Sequence, residues 1–114
     1  YEAVSLDDFV EYSKSMFEYW TEDDFASSFR KMLTIEQFRS EEMQKLYQQY
    51  LVAGPASYVK ALFESIGIVN AKDKAARFYA VMHFYYSLYD GAADKEKVKV
   101  EFVSAIKSLV QDLA

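Results

Sequence analysis

The chain has 114 residues, no cysteine and a formal net charge of −5. That length fits a single domain with its own core, and the missing thiols exclude disulfides and thiolate metal sites. The acidic balance opposes a phosphate backbone, since the basic residues Arg30, Lys31, Arg39, Lys60, Lys72, Lys74 and Lys95 are scattered among carboxylates and gather on no single face.

The chain order reads as five helices. Ser5-Leu-Asp-Asp8 is a capping-box-like start, and Leu6, Phe9, Val10, Met16, Phe17 and Trp20 supply the apolar stripe of a first helix ending near Trp20. Thr21-Glu-Asp-Asp24 repeats the start signal, and Phe25, Phe29 and Met32 carry the stripe of the second helix. Ser40, followed by Glu41 and Glu42, caps a third: its hydroxyl can accept an orphan amide, and the carboxylates suit the positive end of the helix dipole. Met43, Leu46, Tyr47, Tyr50 and Leu51 then restart the helical rhythm.

Gly54-Pro55 should kink or split this third helix, because proline lacks an amide proton and its ring collides with the carbonyl four residues back. Tyr58, Leu62 and Phe63 continue the face begun by Tyr47 and Leu51, so one bent rod is expected, ending at Gly67 in a left-handed cap. Asn70 starts the fourth helix, with Asp73 three residues on, and Asp90-Gly91 stops it. The fifth runs from about Asp94 to about Asp112. From Phe78 to Tyr89 the fourth helix is apolar or aromatic almost all round, and the fifth carries a wide stripe from Val98 to Leu113. With ten Tyr and nine Phe, that is more apolar surface than five short helices are expected to hide. Pairing the last two helices with their twins about a two-fold axis would build a four-helix bundle; the alternative makes the fourth helix the central helix of a monomer.

No catalytic or metal-binding motif emerges. The single His83 is too few for a zinc or helix-bundle di-iron site, and no nucleophile elbow or glycine-rich phosphate cradle is present. Carboxylate pairs such as Asp7-Asp8, Asp23-Asp24 and Glu41-Glu42 sit at helix starts, where capping explains them. Neither an enzyme nor a cofactor is expected. A pocket is the more promising feature: His83 lies one turn from both Tyr79 and Ser87 on a mostly apolar helix, with the hydroxyls of Tyr85, Tyr86 and Tyr89 in the same region. Such groups, if buried, pair with one another, with water or with a ligand. A satisfied core or interface histidine and a plain aromatic core stand as the alternatives.

The order RKMLTIEQFRSEEMQKLYQQY, two helices meeting at an Ile-Glu-Gln-Phe-Arg-Ser hinge, resembles the C-terminal, ligand-binding part of TetR-type transcriptional regulators. The resemblance extends over most of the chain and implies one all-α effector-binding and dimerisation domain spanning residues 1–114. It also implies a cytoplasmic homodimer, probed by a small apolar or aromatic effector, in a protein that acts as a repressor. DNA contact would belong to an N-terminal helix-turn-helix domain not included here; a chain opening at Tyr1 reads as an excised domain, and no membrane association is expected. On this reading Phe29 and Met32 of the second helix and Tyr47, Tyr50, Tyr58 and Leu62 of the bent third line the cavity, together with Tyr79, Met82, His83 and Tyr86 of the fourth. Val81, Phe84 and Leu88, with Phe102, Val103, Ile106, Leu109 and Val110, face the partner; a rotation of the helix would exchange the two sets. A purely structural helical module that holds a partner helix is the second reading.

Overall fold

The computed structural model describes residues 5–113, and these form an all-helical domain. The helices are α1 (Leu6–Glu22), α2 (Asp24–Glu36), α3 (Glu41–Leu51), α4 (Ala53–Ser65), α5 (Ala71–Gly91) and α6 (Lys95–Gln111). The expected bent rod is present as the pair α3 and α4. Helix α5 packs against α4, α6 and α1, while α2 bridges α1 to α3. The principal extents are 39 × 34 × 20 Å; the shortest is about two helix diameters, so the domain is a slab two layers thick. Each helix therefore keeps an outer face. Among the described residues no helix is long and apolar enough to cross a membrane.

The core is aromatic, and α1 supplies its spine. Phe9, Ser13, Phe17 and Thr21 recur on one buried face of α1. Phe17 stacks on Phe102 of α6 at 4.2 Å between centroids and on Tyr86 of α5 at 5.5 Å, while Phe9 meets Phe63 at 5.1 Å and Phe78 at 4.8 Å. Such ring pairs add about 0.5–1.5 kcal/mol each beyond the area they bury. The two buried hydroxyls on this face stay satisfied locally: Ser13 donates to the Phe9 carbonyl and Thr21 to that of Phe17. On the outer side of the same helix Glu18 and Glu22 both reach Lys99 of α6, at 2.6 and 3.1 Å.

The helix ends follow capping chemistry, with two departures from expectation. Ser5, Ser40 and Asp94 cap α1, α3 and α6 with their side chains, and Gly67, at φ +80, closes α4 in a Schellman turn through Ile68 N–H to Phe63 and Gly67 N–H to Glu64. The start of α2, however, is capped by Asp23, which accepts from the Ala26 amide, rather than by Thr21, which remains inside α1. This turns α2 so that Ala26, Arg30 and Leu33 face inward and Phe25, expected on the stripe, lies in solvent. Asn70 sits in the left-handed region at φ 57 and makes no side-chain cap.

The break between α3 and α4 falls at Val52, which ends one helix and begins the next at φ −134, ψ −86. Pro55 consequently occupies the first turn of α4, where its missing N–H would have had no intrahelical partner in any case. Gly54 has a sharper role: a Cβ there would lie 1.8 Å from the Gln49 carbonyl oxygen, so only glycine lets the new helix start so close to the end of the old one. Gly54→Ala should therefore lower the unfolding free energy by about 3 kcal/mol. Gly67→Ala, strained only by its positive φ, should cost about 1 kcal/mol. Urea denaturation of both variants checks the order of the two.

Candidate functional site

The polar centre of the domain is a buried guanidinium. Arg30 is only 6% exposed, because it occupies a core position on the stripe of α2, four residues after Ala26 and three before Leu33. Burying a charge demands partners, and Arg30 has them on three sides. Its Nε donates to the Trp20 carbonyl at the end of α1 at 3.0 Å, and Nη1 and Nη2 grip the Asp90 carboxylate near the end of α5 at 2.9 and 2.6 Å. Its Cζ also lies 5.0 Å from the centre of the Tyr86 ring. The planar fork of arginine suits this bidentate arrangement.

Beside this pair a cleft of about 110 Å³ opens between α2, α3 and α5, lined by Arg30, Thr34, Tyr47, Leu51, Tyr79, His83, Tyr86, Ser87 and Asp90. Thr34 donates its hydroxyl to the Arg30 carbonyl. Tyr79 is different: its phenol oxygen is buried and has no hydrogen-bond partner among the described residues. Burial raises its pKa well above the ordinary value, with nearby Tyr47 adding to the rise and Arg30 opposing it. Tyr86 is raised likewise, first by burial and then by Tyr79. Both rings thus remain neutral phenols, able to donate as well as accept. The cleft's mouth leads into a wider apolar groove of about 720 Å³ that shares Tyr47, Tyr79, His83 and Ser87 and is floored by the small side chains of Ala56, Ala76 and Ala80.

Of the residues expected to face a cavity, Tyr47, Tyr79, His83 and Tyr86 meet in this cleft. Met82 and Leu62 are core residues, although Met82 and Tyr50 also border an interior crevice of about 30 Å³ behind Tyr79. The others stand apart. Phe29 packs between Phe25 and Tyr50, Met32 lies at the surface, and Tyr58 leans on Tyr12 with a large part of its ring in solvent. The residues expected at a partner interface divide in the same way. Phe84 is 55% exposed and Leu88 is exposed, with Val81, Val103 and Leu109 half-buried, whereas Phe102, Ile106 and Val110 lie within the chain's own core. Those last three are covered without a second subunit, because α6 turns its apolar stripe onto α1 and α5.

Arg30 and Asp90 are the site residues that the sequence reading passed over, one as a scattered base and the other as part of a helix stop. A signal existed. Arg30 lies in phase with Ala26 and Leu33, and Asp90 in phase with Met82 and Tyr86; a lone charge on an apolar stripe must find an opposite charge on a neighbouring one. Among the described residues no group of His, Asp and Glu side chains is placed to hold a metal ion. No protein family, curated protein or solved structure matches the chain.

Two outcomes follow for the site. Asp90→Asn leaves the guanidinium buried without its counter-charge and should lower stability by about 2 kcal/mol, less than for a wholly enclosed pair because the Asp90 side chain is 30% exposed. The double variant Arg30→Met/Asp90→Leu should recover most of that loss in urea denaturation. The raised phenols give a pH signature. Their stabilising effect is complete below the ordinary tyrosine pKa of 10.0 and is lost as pH climbs beyond it, while the unfolded chain ionises and the folded one does not. Stability should fall by about 1.4 kcal/mol per pH unit per phenol in that range, and Tyr86→Phe should flatten the fall in alkaline melting curves.

Proposed function

We propose that this domain is a small-molecule receptor that also dimerises: the effector-binding and dimerisation part of a TetR-type transcriptional regulator, acting as a repressor in the cytoplasm, in which the ligand alters DNA binding by an N-terminal domain. The observation that carries the receptor reading is an aromatic cleft whose lining includes Tyr79, a residue with a buried, unpartnered hydroxyl. A buried polar group without a partner costs about 1–3 kcal/mol, and a ligand able to bond to it would recover that cost. The regulator reading rests on the resemblance carried by residues 30–50 and on the exposed Phe84 and Leu88 of α5, which a twin subunit would cover. DNA contact belongs to a helix-turn-helix domain outside these residues, in keeping with the acidic charge of this one.

Effector and response are linked because the cleft is walled by α2, α3 and α5 together. A ligand shifts an equilibrium only by its difference in affinity for the two states. Here it touches both members of the Arg30–Asp90 pair that joins the middle of α2 to the end of α5. A second reading, a ligand-free module that holds a partner helix, is favoured by the broad apolar groove over Ala76 and Ala80.

Thermal melting across a panel of small apolar and aromatic compounds separates the two. A receptor should gain several degrees from some members of the panel, and a Tyr79→Phe variant should lose part of that gain. If no compound raises the melting temperature, the helix-binding module is the correct reading. Sedimentation at micromolar concentration tests the dimer independently: Phe84→Glu/Leu88→Glu should convert a dimer to monomer, and a wild-type monomer would remove the interface.

A further inference from the structure

The chemistry of the cleft specifies its ligand more narrowly than apolar or aromatic. Three observations bear on this. First, charge: the lining brings one buried cation and one anion, Arg30 and Asp90, and each already has the other. A charged ligand would have to shed its water at a site with no free opposite charge, or break a bidentate pair, so the cleft disfavours both anions and cations. Second, size: about 110 Å³ is close to the roughly 150 Å³ of an engineered apolar cavity that admits one benzene ring. The Tyr47, Tyr79 and Tyr86 rings among its walls suit a flat aromatic guest. Third, polarity: one buried hydroxyl, that of Tyr79, awaits a partner.

The exit matters as much as the seat. The groove beyond Tyr79 and His83 is apolar, and its floor of Ala56, Ala76 and Ala80 leaves room for a chain. We propose that the cleft binds an uncharged single-ring compound with one hydrogen-bonding substituent, a phenol or close equivalent, whose polar atom pairs with the Tyr79 hydroxyl as a small shift of the Tyr79 ring brings that sealed oxygen to the cleft, while an apolar tail runs out along α5 over Ala80. The inference rests on the receptor reading and names the class of ligand that reading leaves open.

The test titrates the whole chain, by calorimetry and by NMR, with four probes: phenol, 4-propylphenol, propylbenzene and 4-propylbenzoate. The phenol with the propyl tail should bind about 10-fold tighter than propylbenzene, as one hydrogen bond to a buried orphan would give, and also tighter than the benzoate. Tyr79→Phe should reduce the difference between 4-propylphenol and propylbenzene to less than twofold. Ala80→Leu, a surface change that leaves the core untouched, should weaken 4-propylphenol about 10-fold and leave phenol within twofold. A difference that persists in Tyr79→Phe overturns the hydroxyl contact, and indifference of 4-propylphenol to Ala80→Leu overturns the path of the tail. Tightest binding by the benzoate overturns the uncharged class while leaving the cleft a receptor site. If none of the probes binds, the ligand class is overturned; the receptor reading falls with it only when the broader compound panel is silent too.

Discussion

The fold turns on one buried positive charge. Arg30 cannot be left in an apolar interior without compensation, and the compensation comes from three directions: a carbonyl where α1 ends, a carboxylate where α5 ends and the face of Tyr86. An apolar residue at that position would fill space but would constrain none of these ends. The guanidinium, by contrast, sets where α2 lies against α1 and how far α5 must continue before it stops. It also gives the adjoining cleft its character, since a wall that includes a satisfied ion pair is polar without being charged overall.

Around this point the domain is organised by the thinness of the slab. With two layers of helices, each helix buries one stripe and exposes the other. Phe17 serves as the junction, with Phe102 and Tyr86 packed against it, so α1, α5 and α6 are joined through rings rather than through long aliphatic chains. The same economy explains why α5, apolar nearly all round, is not enclosed. Its Ala75, Phe78, Met82 and Tyr86 face the core, and Ala76, Ala80 and Phe84 form a groove on the other side. The apolar content of this helix is divided between two surfaces, one packed in the core and one left open.

Much of the architecture was legible in the chain itself, because it depends on local chemistry. The capping residues Ser5, Ser40 and Asp94, the left-handed turn at Gly67 and the disruption near Pro55 each follow from the properties of one or two residues. What was not legible depends on rotation. Thr21 and Asp23 both qualify as caps, and choosing the second turns α2 far enough to exchange Phe25 for Arg30 at the core. The same limit applies to α6: a wide stripe does not say which of its edges meets α1, so Phe102, Ile106 and Val110 proved to be interior. In the cleft, Tyr79, His83 and Tyr86 come together because i, i+4 and i, i+7 spacing on α5 is rigid, and Tyr47 joins them from α3. The ion pair joins residues sixty positions apart, and no spacing rule reaches that far.

The joint at Val52 has a directional property. Tyr47 stands on one side of it and Ala56 on the other, and both border the groove, so any swing of α4 about this elbow opens or narrows that channel. Closing is limited by a hard stop, since Gly54 already rests against the Gln49 carbonyl with no room even for a methyl group. Opening is opposed instead by the buried face of α4, where Val59, Leu62 and Phe63 lie in the core. The elbow is therefore a fixed corner, closed on one side by backbone contact and tied on the other by the buried face of α4, so the width of the channel is set by the fold itself.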